Sequence, residues 1–284
     1  VVTPVTRKIG CVDGKSIQEL GGDLIYLAPD GLRSIAGTER IGDVELGTVS
    51  KQIQDRIADI GTDNITSTII RSKSQYRLFF PQTAETEILS KGIAAVLKAN
   101  PETGTLGFEY ADIKGIKPSA TDSFFVGDTE TIVHGGYDGY VYKQESGGVF
   151  TRASGTDTIR GFYRSPDMSL GDPGIRKSMQ RALVNYKVGE AIDTTNQTFR
   201  LRYNFDDTNT PQPDAYSFSS ATVAAFYNSG VYGTSAYGSS GFPLERISVE
   251  GSGFVVAFKL EDQSSKQALS LRGFELEYVN GGRR

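Results

Sequence analysis

His134 and Cys11 are the only histidine and the only cysteine of this 284-residue chain, so any chemistry needing either has one residue to use. A Ser-His-Asp relay would have to be built on His134. That residue lies in TIVHGGYDG, on a predicted strand just before a turn, and no G-x-S-x-G elbow presents a serine to it. It reads as a packed or turn-edge histidine. One cysteine excludes a disulfide within the chain, and the pair together cannot form a Cys/His zinc cluster. Carboxylates are plentiful, 34 in all, so carboxylate pairs are unavoidable and do not alone argue for glycoside hydrolysis. Tryptophan, a common sugar platform, is absent, although tyrosine can substitute. The acidic stretch DDTNTPQPD offers Asp206, Asp207 and Asp214, but two prolines interrupt it and no EF-hand spacing results, so it reads as a solvated loop. GCVDGKS (10–16) is one residue short of a phosphate loop and reads as a turn. No catalytic, cofactor-binding or metal-binding residue is assigned, and the expectation is a protein that is not an enzyme and needs no cofactor.

One carboxylate stands out by context. In LIYLAPDGLRSI (24–35) an apolar run meets Asp30-Gly31 and continues into a second alternating run. Asp-Gly between two such runs suits a tight turn, because both residues tolerate positive φ. IVHGGYDGYVYK (132–143) repeats the pattern around Asp138-Gly139, and a third Asp-Gly lies at Asp13-Gly14. True repetition, as in β-propeller blades or a meander, and the chance likeness of two hairpins are both open. The S-x-D-x-G-x-T-W repeat of sialidase-type propellers is absent.

The elements that must hold these residues read as β. Short strand-like runs, including Asp23–Leu27, Gln75–Phe80, Thr131–His134, Thr198–Phe205, Phe254–Leu260 and Leu269–Val279, alternate with turn residues in a chain holding 33 glycines. One helix is expected near 49–60, where Val49, Ile53, Ile57 and Ile60 recur at helical spacing. Thr48 or Ser50 can cap its start and Gly61 can end it. Residues 85–100, broken by Gly92, suit either helix or strand. The fold class is therefore all-β: a propeller-like meander region over 1–165, then a β-sandwich-like domain over 172–284. The boundary is placed at SPDMSLGDPGIRK (165–177), where prolines and glycines punctuate the pattern. A span of 165 residues holds three or four blades of roughly 40–50 residues. Together with the opening Val1-Val2-Thr3-Pro4, this leads us to expect a piece of a longer protein.

The net charge of -4 gives no electrostatic reason to expect whole-surface nucleic-acid binding, though a narrow basic lining is compatible with it. No apolar run reaches the roughly 18 residues of a membrane helix. Gly281–Arg284 (GGRR) reads as a short solvated end. AAFYNSGVYGTSAYGSSGFP (224–243) reads as an interface loop, with Tyr227, Tyr232 and Tyr237 offering contact area at low entropic cost.

GGDLIYLAPDGLRSIAGTERIGDVELG, HGGYDGYVYKQESG, YRSPDMSLGDPGIRKSM and the terminal GRR together resemble the tail nozzle family of short-tailed bacteriophages. That family is also called tail tubular protein B, and related proteins are known as phage stabilisation proteins. The resemblance runs from about residue 9 to the end, with distinctive phrases over less than half of it. It implies a virion structural protein, assembled in the host bacterial cytoplasm. Such a protein forms a ring, commonly a hexamer, of propeller-like subunits below the portal and adaptor. Viral DNA would pass through without sequence-specific binding, and tail-fibre proteins would be neighbours. Family members are commonly longer than this chain. The alternative class is a receptor- or glycan-binding module of a tail fibre or surface protein.

Overall fold

In a computed structural model of the chain, residues 9–36, 48–58, 60, 64–81, 90–99, 104, 106–152, 155–187, 197–218, 244–263 and 270–283 are described. Two compact units follow one another, Val1–Ser146 and Gly147–Arg284. Every strand pairing among the described residues of both is antiparallel, in keeping with the all-β reading.

The first unit is three meanders in series. β1 (Gln18–Leu20), β2 (Asp23–Ala28) and β3 (Gly31–Ser34) make the first. β4 (Thr66–Ile70), β5 (Gln75–Phe79), β6 (Lys91–Ala99) and β7 (Leu106–Lys114) make the second. β8 (Ala120–Val126), β9 (Thr129–Gly135) and β10 (Val141–Lys143) make the third. The first strands adjoin, with β4 beside both β1 and β8. β4 is an edge strand, and its outward carbonyls need donors. Gln18 donates its Nε2 to the Ser67 carbonyl at 3.1 Å, Thr121 donates its Oγ1 to the same oxygen at 3.0 Å, and Ser123 donates to the Ile69 carbonyl at 2.5 Å. These contacts explain the hydroxyl residues Thr121 and Ser123 of β8; on β4, the Ser67 hydroxyl donates to the Lys15 carbonyl at 2.6 Å and Thr66 meets the Thr121 hydroxyl at 3.3 Å. Three meanders are observed side by side; a closed propeller is not seen among the described residues.

Apolar side chains from β2, β3, β5 and β6, including Ile25, Leu27, Leu32, Tyr76, Leu78 and Ile93, form one core cluster. The expected helix is present in shortened form, a 3-10 turn Lys51–Ile53 running into an α-helix Gln54–Ala58. Val49, Ile53, Ile57 and Ile60 all pack on that core, as their spacing predicts. The expected caps do other work: the Ser50 hydroxyl accepts from the Leu32 amide at 2.9 Å, and Thr48 donates to Asp30 at 3.1 Å. Gly61 lies outside the described residues. Residues 91–99 resolve as strand β6, where Gly92 faces Phe79 across the ladder. A Cβ there would stand 2.9 Å from the Leu78 carbonyl oxygen, so the backbones approach too closely for any other residue. A polar clasp joins the third meander to the second: Arg77 of β5 donates Nη1 to Gln144 at 2.8 Å and Nη2 to Glu145, which also pairs with Lys73 at 2.5 Å.

The second unit begins earlier than the Pro/Gly punctuation suggests. A hairpin of β11 (Val149–Arg152) and β12 (Gly155–Thr158) leads to β13 (Gly161–Arg164). β14 (Ile175–Lys187), β15 (Gln197–Tyr203), β16 (Tyr216–Phe218), β17 (Leu244–Ser248), β18 (Ser252–Gly253), β19 (Val256–Asp262) and β20 (Ser270–Arg283) complete it. One sheet runs β13-β19-β15-β16; in the other, β14 pairs with β17 and β18 on one edge and β20 on the other. Side chains of both sheets, among them Val184, Tyr186, Phe199, Leu201, Val256 and Phe258, share one core. The segment after β13 is no linker: the Ser165 amide bonds the Phe258 carbonyl at 2.9 Å, and Met168 bridges Val256 in both directions. Prolines there end the ladder without ending the packing. β20 runs to Arg283, which pairs opposite Ile175, and Gly281 and Gly282 are exposed, so these residues continue the ladder.

Candidate interface surfaces

Asp30 sits in a hairpin, as read from sequence, but its carboxylate does more than turn the chain. Ala28 pairs with Gly31, so the two-residue connection is Pro29-Asp30, with Gly31 at φ 133° closing it. The carboxylate accepts from Arg33 Nε at 3.0 Å and Nη2 at 2.5 Å, as well as from Thr48. Arg33 is 0% exposed and Asp30 31%. The hydrogen bond from Arg33 holds the Asp30 carboxyl below the usual range. This is a structural ion pair that supports a buried guanidinium. Asp138 differs: its turn is a five-residue loop closed by the Gly136 amide on the Tyr140 carbonyl at 2.8 Å, and its carboxylate takes bonds from the Tyr140 amide and the Tyr142 hydroxyl. Asp13 caps a 3-10 turn, accepting from the Lys15 amide at 2.8 Å. The three Asp-Gly pairs therefore share a sequence and not a role. His134 stacks on Tyr142, ring centroids 5.3 Å apart, within β9 and β10. Among the described residues no three His, Cys, Asp or Glu side chains converge as a metal site would need. No helix among them is long and apolar enough to cross a membrane. Tyr227, Tyr232 and Tyr237 lie outside the described residues.

Three surface features remain, and sequence reasoning found none of them. The first is a cleft on the first unit, under the helix Gln54–Ala58 and against β6 and β7. Its open lobe, about 260 Å³, is lined by Ile53, Ile93 and Tyr110 together with Arg56 and Asp112, which lie 3.5 Å from each other. A smaller lobe of about 50 Å³ adds Lys91 and Lys114, which face each other across the ladder. Among the described residues the lining thus holds three cations and one carboxylate.

The second is the turn after β15. Asn204, Phe205 and Asp206 have φ of 52°, 60° and 64°, three successive left-handed residues with no glycine among them. That conformation costs about 1–2 kcal/mol per residue. Its surroundings hold it in place. The Asn204 amide bonds the Val255 carbonyl at 2.9 Å, and its side chain accepts from the Phe254 amide at 2.9 Å and donates to Thr210 at 3.1 Å. Gln212 clamps both backbone groups of Tyr203 at 2.9 Å, and Arg202 pairs with Asp206 at 3.1 Å. Phe205 stands at the tip, 71% exposed.

The third is aromatic and apolar. The β8–β9 hairpin leaves Phe124, Phe125 and Val126 exposed beside its Gly127-Asp128 turn, and the β9–β10 loop exposes Tyr137 and Tyr140. Glu130 fixes the hairpin by accepting from the Arg71 and Ser72 amides at 2.9 and 2.8 Å. Three consecutive apolar residues thus stand exposed on a held hairpin.

No protein-family model matches the chain, and no curated protein matches it significantly.

Proposed function

We propose that this chain is a structural subunit of a bacteriophage tail, of the nozzle or hub, that assembles into a symmetric ring around the DNA exit path. One observation carries the reading beyond the resemblance: three successive meanders lie with their first strands side by side, bound to one another through Gln18, Thr121 and Ser123. In a propeller the innermost strand of each blade adjoins that of the next, so this placement supports a reading of the meanders as blades. The sandwich unit then supplies further surface for neighbours. The role is mechanical rather than catalytic. The subunit holds a channel that retains DNA after packaging and releases it on host attachment, and a near-balanced charge avoids trapping the polymer. The portal or adaptor and the tail fibres are its partners, and the virion is its location. Multi-angle scattering and native mass spectrometry of the full-length protein test this. A ring of defined copy number that is also found in purified particles supports it; a strict monomer absent from particles refutes it.

The exposed Tyr137 and Tyr140 favour a second reading, a glycan- or receptor-binding module, since tyrosine faces stack on sugars. Loss of host-cell binding in a Tyr137→Ala/Tyr140→Ala variant that still assembles would select it.

A further inference from the structure

We propose that the outer face of the third meander, made by β8, β9 and β10, docks on the same face of a second copy of this chain in a two-fold, face-to-face contact. The inference goes beyond the ring reading above, which calls for a different, heterologous surface.

Directly paired residues of an antiparallel sheet share a face, and successive residues alternate between faces. The registers therefore sort the third meander into two sides. One side carries the rows Thr121–His134–Tyr142 and Ser123–Ile132. That side is taken: Thr121 and Ser123 donate to the Ser67 and Ile69 carbonyls of β4, and Ile132 is buried. The other side carries the rows Ala120–Gly135–Val141, Asp122–Val133–Lys143, Phe124–Thr131 and Val126–Thr129. An antiparallel sheet that meets water on one face is polar on that face. Here the outer face instead holds Val141, Val126 and Phe124, which are 74%, 62% and 44% exposed.

The charges on this face select its occupant. Asp122 and Lys143 are both cross-strand partners of Val133, from its two sides. One row thus holds a carboxylate at one edge, an ammonium at the other and an apolar residue between them. Adjacent strands lie about 4.8 Å apart, so the two charged residues stand about 10 Å from each other at their backbones. A second copy, given a half-turn about the line of β9, sets its Lys143 over Asp122 and its Asp122 over Lys143. The same half-turn sets Val133 over Val133 and Ala120 over Val141. The face is therefore complementary to itself, with two ion pairs flanking an apolar centre. A partner of uniform charge would match one edge and oppose the other. Sheets packed in this aligned manner lie about 10 Å apart, a spacing that side chains from both inner faces fill. Because both copies use the same patch, the contact is isologous and closes at two.

The test uses the full chain and charge-reversed variants, with mass followed across concentration by light scattering and native mass spectrometry. Asp122 and Lys143 are both exposed, so reversing either leaves the core untouched. Lys143→Asp alone, or Asp122→Lys alone, sets like charges together at both edges. Association is expected to weaken about tenfold per edge, about a hundredfold in all. Asp122→Lys/Lys143→Asp restores both pairs and must recover wild-type association. The two single variants mixed in equal amounts must form a mixed pair, since the acidic face of one meets the basic face of the other. Single variants that associate as tightly as wild type, or a mixture without mixed pairs, overturn the contact. A wild type that is monomeric at every concentration also overturns it, the face then belonging to a partner other than this chain. Rings that persist unchanged in Lys143→Asp refute this contact and leave the ring reading standing. Pairs that respond to charge reversal where no ring is found refute the ring reading and leave this one.

Discussion

Substituting Asp30 should unsettle the first unit far more than substituting its sequence counterpart Asp138. Arg33 is fully buried, and the Asp30 carboxylate takes two of its N–H donors at 3.0 and 2.5 Å. Asp30→Ala leaves that guanidinium inside without its counter-charge, a change that costs about 3–5 kcal/mol for a fully buried pair. Asp30 is 31% exposed, so water can reach part of the vacated site, and the lower end, about 3 kcal/mol, is the expected loss. For a domain of this size that corresponds to about 6–12 °C in transition temperature. Asp138 lies in an exposed loop, and Asp138→Ala should cost under about 1 kcal/mol. The chain has no tryptophan, so calorimetry is the suitable probe. Asp30→Ala/Arg33→Met should recover much of the loss, because it removes the orphaned charge rather than one partner. Equal effects at Asp30 and Asp138, or a loss at Asp30 below about 1 kcal/mol as for a surface pair, would refute the assignment of Asp30 as the support of a buried cation.

Four further outcomes follow from the same structure. Burial pushes the Glu145 carboxyl up, but its bonds from Lys73 and Arg77 outweigh this and hold it below the usual range. A lowered folded value stabilises above the unfolded one, so this contribution should be present above about pH 4.3 and fade on acidification, and Glu145→Gln should flatten that dependence in calorimetric scans. Glu245 is the opposite case: burial raises its carboxyl, its ionised form is the unfavourable one, and Glu245→Gln should raise the transition temperature at pH 8 and leave it unchanged at pH 4. Gly31→Ala should destabilise by roughly 2 kcal/mol or more, since φ is 133° and the new Cβ would meet Ser50 Oγ at 2.4 Å, whereas Gly107→Ala, in β7 with open space around it, should be neutral or mildly stabilising. Phe205→Gly should raise urea resistance by about 1 kcal/mol through relief of the left-handed backbone; a loss instead would mean that the phenyl supports the fold.

The elements that sequence exposed were those whose burial follows a simple period. Val49, Ile53, Ile57 and Ile60 mark one helical face, and Phe254–Leu260 anticipates β19, because a single core face selects the apolar positions. β4 and β8 are not marked by period, since Thr121 and Ser123 are used to satisfy β4 carbonyls and Ser67 that of Lys15, a demand set by neighbouring segments rather than by a single core face. The two compact units divide at Ser146 and Gly147, ahead of the Pro/Gly-rich stretch at 165–177, for a related reason. Proline and glycine report a break in local hydrogen bonding, and Ser165 and Met168 keep the segment on β19 regardless.

The candidate contact surfaces lie beyond such reading because each is assembled from distant or unmarked positions. The cleft collects Ile53 and Arg56, then Lys91 and Ile93, then Tyr110 and Asp112, three segments whose adjacency exists only after β6 pairs with β7 and the helix settles on them. Asn204-Phe205-Asp206 carries no glycine to announce its left-handed backbone; only Asn and Asp, which tolerate that region, hint at it. Asp30 shows the middle ground. Its turn was legible from Asp-Gly, and Arg33 three residues on was in plain view as a partner across the hairpin. What sequence could not supply was that Arg33 points into the core, a consequence of β2 being buried from Ile25 to Ala28 and of Thr48 and Ser50 closing over β3. A carboxylate beside a turn is ordinary; a carboxylate beside a turn that must answer a buried cation is a constraint on the whole unit.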